Sequence, residues 1–271
     1  MKEFDYSLVK NPDIDTAYNA LITYVIPGSP AAQATSFRHS LNGIWKFHYA
    51  RNYESTVKGF EKEEYSCRDW DDIRVPAHIQ MEGYDAPQYA NVQYPWEGHE
   101  DIHPGEIPEH FNPVASYVKY FEVPEQMKGK RLFISFQGAE SGIALWLNGK
   151  FVGYSEDSFT PSEFELTDYV KGGENKLAAQ VFKWTASSWC EDQDFYRFSG
   201  IYREVYLYTV PDVHVYDLQI RAIPDETLKK AEFEIKTIAW GKGSVHIVLS
   251  KDGQTVLEDS KSLGAVAAES G

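Results

Sequence analysis

The chain has 271 residues, more than one ordinary domain of about 100–150 residues and enough to bury a substantial core. Its aromatic share is 15%, with 18 Tyr, 15 Phe and 7 Trp, a composition suited to pleated, half-buried sheet surfaces. A formal net charge of −15 with no basic cluster repels phosphate backbones and anionic lipid, which argues against nucleic-acid and membrane-surface partners.

Residues 1–40 carry few strand signals, and Asn11-Pro12, Pro27-Gly28 and Ser29-Pro30 punctuate them. They are expected to form an extended N-terminal arm. The opening stretch has no apolar centre of the kind a secretory signal needs, and no apolar run approaches the roughly 20 residues of a membrane span. Cys67 and Cys190 stand in no zinc-type spacing, so free thiols in a reducing, cytoplasmic setting are expected.

Strand signals begin at Leu41. LNGIWKFHYA (41–50), SYVKYFEVP (116–124) and RLFISF (131–136) come first, the last alternating Leu132, Ile134 and Phe136 on one face. IALWLNGKFVGY (143–154) places Asn148-Gly149 between two apolar runs, a hairpin signal because both central residues need positive φ. NKLAAQVFKW (175–184) and YREVYLYTV (202–210) complete a jelly-roll-type sandwich over 41–210. Between these strands, 71–115 is rich in proline and aromatics and reads as one long functional loop. After Pro211, alternating runs at 214–223, 231–240 and 244–250, with an Asp252-Gly253 turn, predict part of an immunoglobulin-like sandwich over 211–271. The expected fold class is thus all-β.

Two stretches hold the chemistry. The first, VPAHIQMEGYDAPQYANVQYPW (75–96), is an aromatic loop in which rings can stack on a sugar face, while the Asn91 amide both donates to and accepts from hydroxyls. The second, SSWCEDQDFYRFSGIYREVYL (187–207), sets Glu191, Asp192 and Asp194 close together; carboxylates accept from hydroxyls and ligate hard cations. From the residue types alone a structural role is the favoured reading. Asp192 and Asp194 can pair with Arg197 and Arg203, and Asn91 can be a turn residue.

Taken with NP (11–12), LNGIWKF (41–47), LWLNGKFVGYSEDS (145–158) and PSEFELTDYV (161–170), these two stretches resemble the N-terminal region of the β-galactosidases of glycoside hydrolase family 2. The resemblance implies a galactose-binding-like jelly roll that completes the galactose subsite of a retaining enzyme acting on β-galactosides such as lactose. It implies that Asn91 contacts the galactosyl ring, that Val92 lines the same region, and that Asp194 contacts the sugar and ligates a sodium ion. The catalytic glutamates and the magnesium ligands of the family belong to a later (β/α)8 barrel, so no catalytic residue is expected in this chain. Some members hold a second cation with acidic side chains at positions falling on Leu8 and Ala186 here. Neither can ligate through its side chain, so that site is not expected, although Glu156 and Asn11 stand at other matching positions. A homo-oligomer is expected of the full enzyme. A self-sufficient carbohydrate-binding module and an assembly subunit are the alternative readings.

Overall fold

The computed structural model describes residues 37–191 and 194–263. Most of the arm expected over 1–40, with Leu8 and Asn11, lies outside the described residues. The described chain divides into two units after Thr209.

In the first unit the strands are, in order, β1 (Arg38–Ser40), β2 (Gly43–Ala50), β3 (Asp71–Val75), β4 (Gln88–Ala90), β5 (Val114–Glu122), β6 (Leu132–Phe136), β7 (Ala139–Glu140), β8 (Gly142–Leu147), β9 (Lys150–Glu156), β10 (Ser162–Glu165), β11 (Glu174–Phe182), β12 (Phe195–Arg197), β13 (Gly200–Ile201) and β14 (Val205–Thr209). A six-stranded sheet, ordered β3-β2-β5-β11-β8-β9, faces a four-stranded sheet, ordered β1-β14-β6-β10. The alternation read in RLFISF decides which side chains meet between them. Leu132, Ile134 and Phe136 interlock with Val205 and Leu207 of their own sheet and with Trp45, Phe47, Tyr117 and Leu145 of the other. A second apolar cluster, with Phe60, Val118, Trp146 and Phe182, covers the outer face of the larger sheet. That is why β5, β8 and β11 are apolar on both sides rather than alternating.

Asn148 and Gly149 adopt φ of 52° and 76° and close the β8–β9 hairpin as their sequence requires. Two expectations need correction. The long loop over 71–115 contains β3, an edge strand paired with β2, which Asp71 and Asp72 conceal because only Ile73 and Val75 turn inward. The sheet also begins before Leu41, because Arg38–Ser40 pair with β14.

The second unit, described over 210–263, holds two antiparallel hairpins. β15 (His214–Pro224) pairs with β16 (Ala231–Trp240), and β17 (Gly243–Lys251) pairs with β18 (Gln254–Leu263). Asp252 and Gly253 turn the second at φ of 52° and 79°. Ile220, Phe233, Val248 and Val256 remain exposed.

Candidate functional site

The two diagnostic stretches, far apart in sequence, come together in one small ribbon. β4 pairs antiparallel with β12: Gln88 lies opposite Arg197, Tyr89 opposite Tyr196 and Ala90 opposite Phe195. One residue beyond the last pair on each strand stand Asn91 and Asp194. The register therefore carries the predicted amide and the predicted carboxylate to the same end of the ribbon, and both are exposed there. Val92 follows, 91% exposed. Tyr89 and Tyr196 are also largely exposed, their rings 5.6 Å apart, so the ribbon presents an aromatic surface beside the polar tip.

Tyr89 is read from the sequence only as one of the aromatics of the 71–115 loop, without a role of its own at the site. Its hydroxyl donates to Oδ1 of Asp194 across one diagonal of the ladder, and that carboxylate raises the pKa of the phenol. The period of two was the available signal. Tyr89 and Asn91 lie two apart, so they share a face of the strand.

Buried polar contacts fasten the base of the ribbon. The Gln80 side chain accepts from the Ser199 amide at 3.0 Å and donates to the Ser199 hydroxyl and to Asp85 Oδ2, each at 2.9 Å. Lys183, just after β11, places its ammonium 2.6 Å from Asp85 Oδ2, the two side chains 1% and 5% exposed. Higher on the ribbon, Arg197 donates to the Glu191 carbonyl at 2.7 Å. The Tyr94 hydroxyl donates to the Trp189 carbonyl at 2.9 Å, joining the same two loops again.

Two more carboxyls lie beneath. Glu191 accepts from the Ser158 hydroxyl at 2.7 Å, and burial pushes its pKa up despite that bond. Glu140 is 7% exposed; burial, reinforced by the Glu191 charge and only partly offset by Arg197 and Lys183, pushes its pKa up to about 8.

The arrangement can hold a hydroxylated ring. An exposed carboxylate and an exposed amide sit side by side, next to aromatic faces, on a ribbon whose backbone is fixed from below. Asp194 also offers the hard oxygen a cation such as sodium accepts. Among the described residues no group of three or more His, Cys, Asp or Glu could hold a metal ion. Glu156 is differently placed. Its oxygens accept from the Tyr154 hydroxyl at 2.5 Å and the Ser187 amide at 3.0 Å, which ties β9 to the short turn Ala186–Trp189.

A two-sheet jelly roll with a polar and aromatic tip at one edge defines a carbohydrate-binding β-sandwich. Residues 38–211 match the sugar binding domain of glycosyl hydrolases family 2, and the chain belongs to that family. It is similar to a β-galactosidase of Halalkalibacterium halodurans, 58% identical over 199 residues, which cover 73% of this chain and 20% of the relative. A β-galactosidase of Clostridium acetobutylicum is 48% identical over 83% of this chain and 25% of its own length. The β-galactosidase large subunit of Latilactobacillus sakei is 38% identical over 89% of this chain and 41% of its own. The chain therefore spans well under half the length of these relatives. Among solved structures, a Bacteroides uniformis β-glucuronidase superposes with a TM-score of 0.63 at 20% identity, over 83% of this chain and 26% of that one. At that identity the likeness speaks for the fold alone. Among the described residues no helix is long and apolar enough to cross a membrane.

Proposed function

We propose that this chain is the N-terminal part of a retaining β-galactosidase and that its ribbon tip completes the galactose subsite of a catalytic barrel carried elsewhere in the polypeptide. The observation that carries this reading is the β4–β12 register, which sets Asn91 and Asp194 at the same ribbon end. Asn91 donates to and accepts from ring hydroxyls, Asp194 accepts from them and serves as one sodium ligand, and Val92 lines the rim. The family's magnesium ligands and catalytic glutamates lie outside this chain, and the exposed Tyr89, Tyr196 and Val92 suit a surface that another domain covers. The two free cysteines fit a cytoplasmic enzyme, and a homo-oligomer fits the family.

The test is an Asp194→Ala variant of the complete polypeptide assayed with 4-nitrophenyl β-D-galactoside at several sodium concentrations. The expected result is a loss of about 10²-fold in kcat/KM together with loss of sodium dependence. Wild-type kinetics in the variant refutes the assignment.

A further inference from the structure

The buried ion pair beneath the ribbon poses a physical question. Burying a lysine and an aspartate costs their hydration, and replacing such a pair by apolar side chains of similar volume is often neutral or stabilising. Stability alone therefore gives no reason for Lys183 and Asp85 to be charged. Their place in the chain gives one. Asp85 stands three residues before β4, in a left-handed conformation at φ of 56°. Ser199 stands two residues after β12. Gln80 bridges the two with its whole amide, its oxygen taken by the Ser199 amide and its nitrogen shared between Ser199 and Asp85. The backbone closes the same joint, the Ile79 amide donating to the Ser199 carbonyl at 3.0 Å. Lys183 anchors this bridge to the sandwich, because its own amide donates to the Pro113 carbonyl at 3.0 Å and it directly follows β11, a central strand of the larger sheet.

We infer that Lys183, Asp85 and Gln80 are positioning residues: a buried clamp that ties both strands of the β4–β12 ribbon to β11 and so fixes where Asn91 and Asp194 stand. None of the three reaches the tip. They act through the backbone of the ribbon, whose strands have only three residues each and, among the described residues, pair with no further strand. A two-stranded ribbon of that length does not hold its own geometry in water. A directional polar bridge, in which the Gln80 amide uses its oxygen and its nitrogen together, fixes its register, whereas an apolar contact would let it slide.

The inference rests on the assignment of Asn91 and Asp194 as sugar contacts, and two measurements keep it separable from that assignment. The first is hydrogen exchange by mass spectrometry on the 271-residue chain carrying Lys183→Met. Exchange over residues 86–91 and 194–200 is expected to accelerate at least roughly tenfold while β5, β8 and β11 keep wild-type protection. Unchanged protection in the ribbon overturns the inference. If the whole sandwich loses protection instead, Gln80→Ala decides by the same criterion, because it leaves the ion pair in place and removes only the bridge between the strands. The second measurement is kinetic, on the complete polypeptide. Lys183→Met is expected to lower kcat/KM for 4-nitrophenyl β-D-galactoside by about 10²-fold, and Lys183→Arg to restore most of it. Wild-type kinetics in the methionine variant, or an arginine variant as poor as methionine, overturns the clamp. A polypeptide that cleaves no galactoside even without substitution sinks the functional assignment and leaves the exchange result standing.

Discussion

The Tyr89 hydroxyl donates a hydrogen bond to the Asp194 carboxylate, across a ladder in which Tyr89 itself faces Tyr196. The two residues lie 105 positions apart in the sequence, and the bond fixes the rotamer of the side chain proposed to meet sugar and sodium. A carboxylate at an exposed tip otherwise samples several rotamers, and each one lost on binding weakens the complex.

Tyr89→Phe keeps the ring and removes only the donor. In the complete polypeptide it is expected to lower kcat/KM for galactosides about three- to tenfold, the weight of one hydrogen bond to a partly hydrated charge. Half-saturation by sodium is expected to shift as well, because the phenol and the cation address the same carboxylate. Steady-state kinetics across a sodium series checks both. Identical constants in the two proteins would show that the phenol does not orient Asp194.

Much of this fold was legible in the sequence, and its gaps share one cause. Alternation in RLFISF, the Asn148-Gly149 and Asp252-Gly253 turns and the apolar run into Phe182 marked the principal strands, because each makes its own local pattern. β3, β4, β12 and β13 were not legible. They are two to five residues long, too short for a period to show, and they exist because distant partners hold them. Asn91 and Asp194 were found by their motifs, yet nothing local placed them on one ribbon. Lys183 and Gln80 were hidden for the same reason: a lysine after a strand and a glutamine in a turn look like surface residues until the fold brings Asp85 and Ser199 to them.

Gly200 sits where the ribbon gives way to β13, and its backbone shows why no other residue fits. Its φ is +107°, and a Cβ there would lie 2.8 Å from the Tyr117 hydroxyl and 2.9 Å from Ile79 Cγ2. Both are in the core, so neither can retreat. Gly200→Ala is expected to cost about 2–4 kcal/mol, combining backbone strain with overpacking. Gly98→Ala makes the control: its φ is +78° with nothing within 4 Å, so about 1 kcal/mol of conformational cost is expected there. Chemical denaturation of the two variants side by side reports the difference. Equal midpoints would mean that the Tyr117–Ile79 contact yields more easily than the packing implies.

Glu140 makes the stability of the sandwich depend on pH in a direction opposite to a salt-bridged carboxylate. Its ordinary value is 4.5, and burial first, then the Glu191 charge, raise it to about 8, with Arg197 and Lys183 opposing. Between those values the folded chain holds a proton that the unfolded chain has released. Stability from this group is therefore intact at pH 4.5 and declines as pH rises toward 8. Each pKa unit is worth about 1.4 kcal/mol, so the loss is on the order of a few kcal/mol across that window. Glu140→Gln carries no such proton. Burial also raises Glu156 and Glu191, which add decline of the same sign, so the variant has to be compared with the parent at each pH rather than with itself. The expected pattern is near-equal stability at pH 5 and a clear advantage for Glu140→Gln at pH 8.5, measured by urea denaturation. A gap that stays constant between the two pH values would show that Glu140 is ionised throughout in the folded chain. Arg197 and Lys183 would then be its effective counter-charges, and the clamp beneath the ribbon would include it.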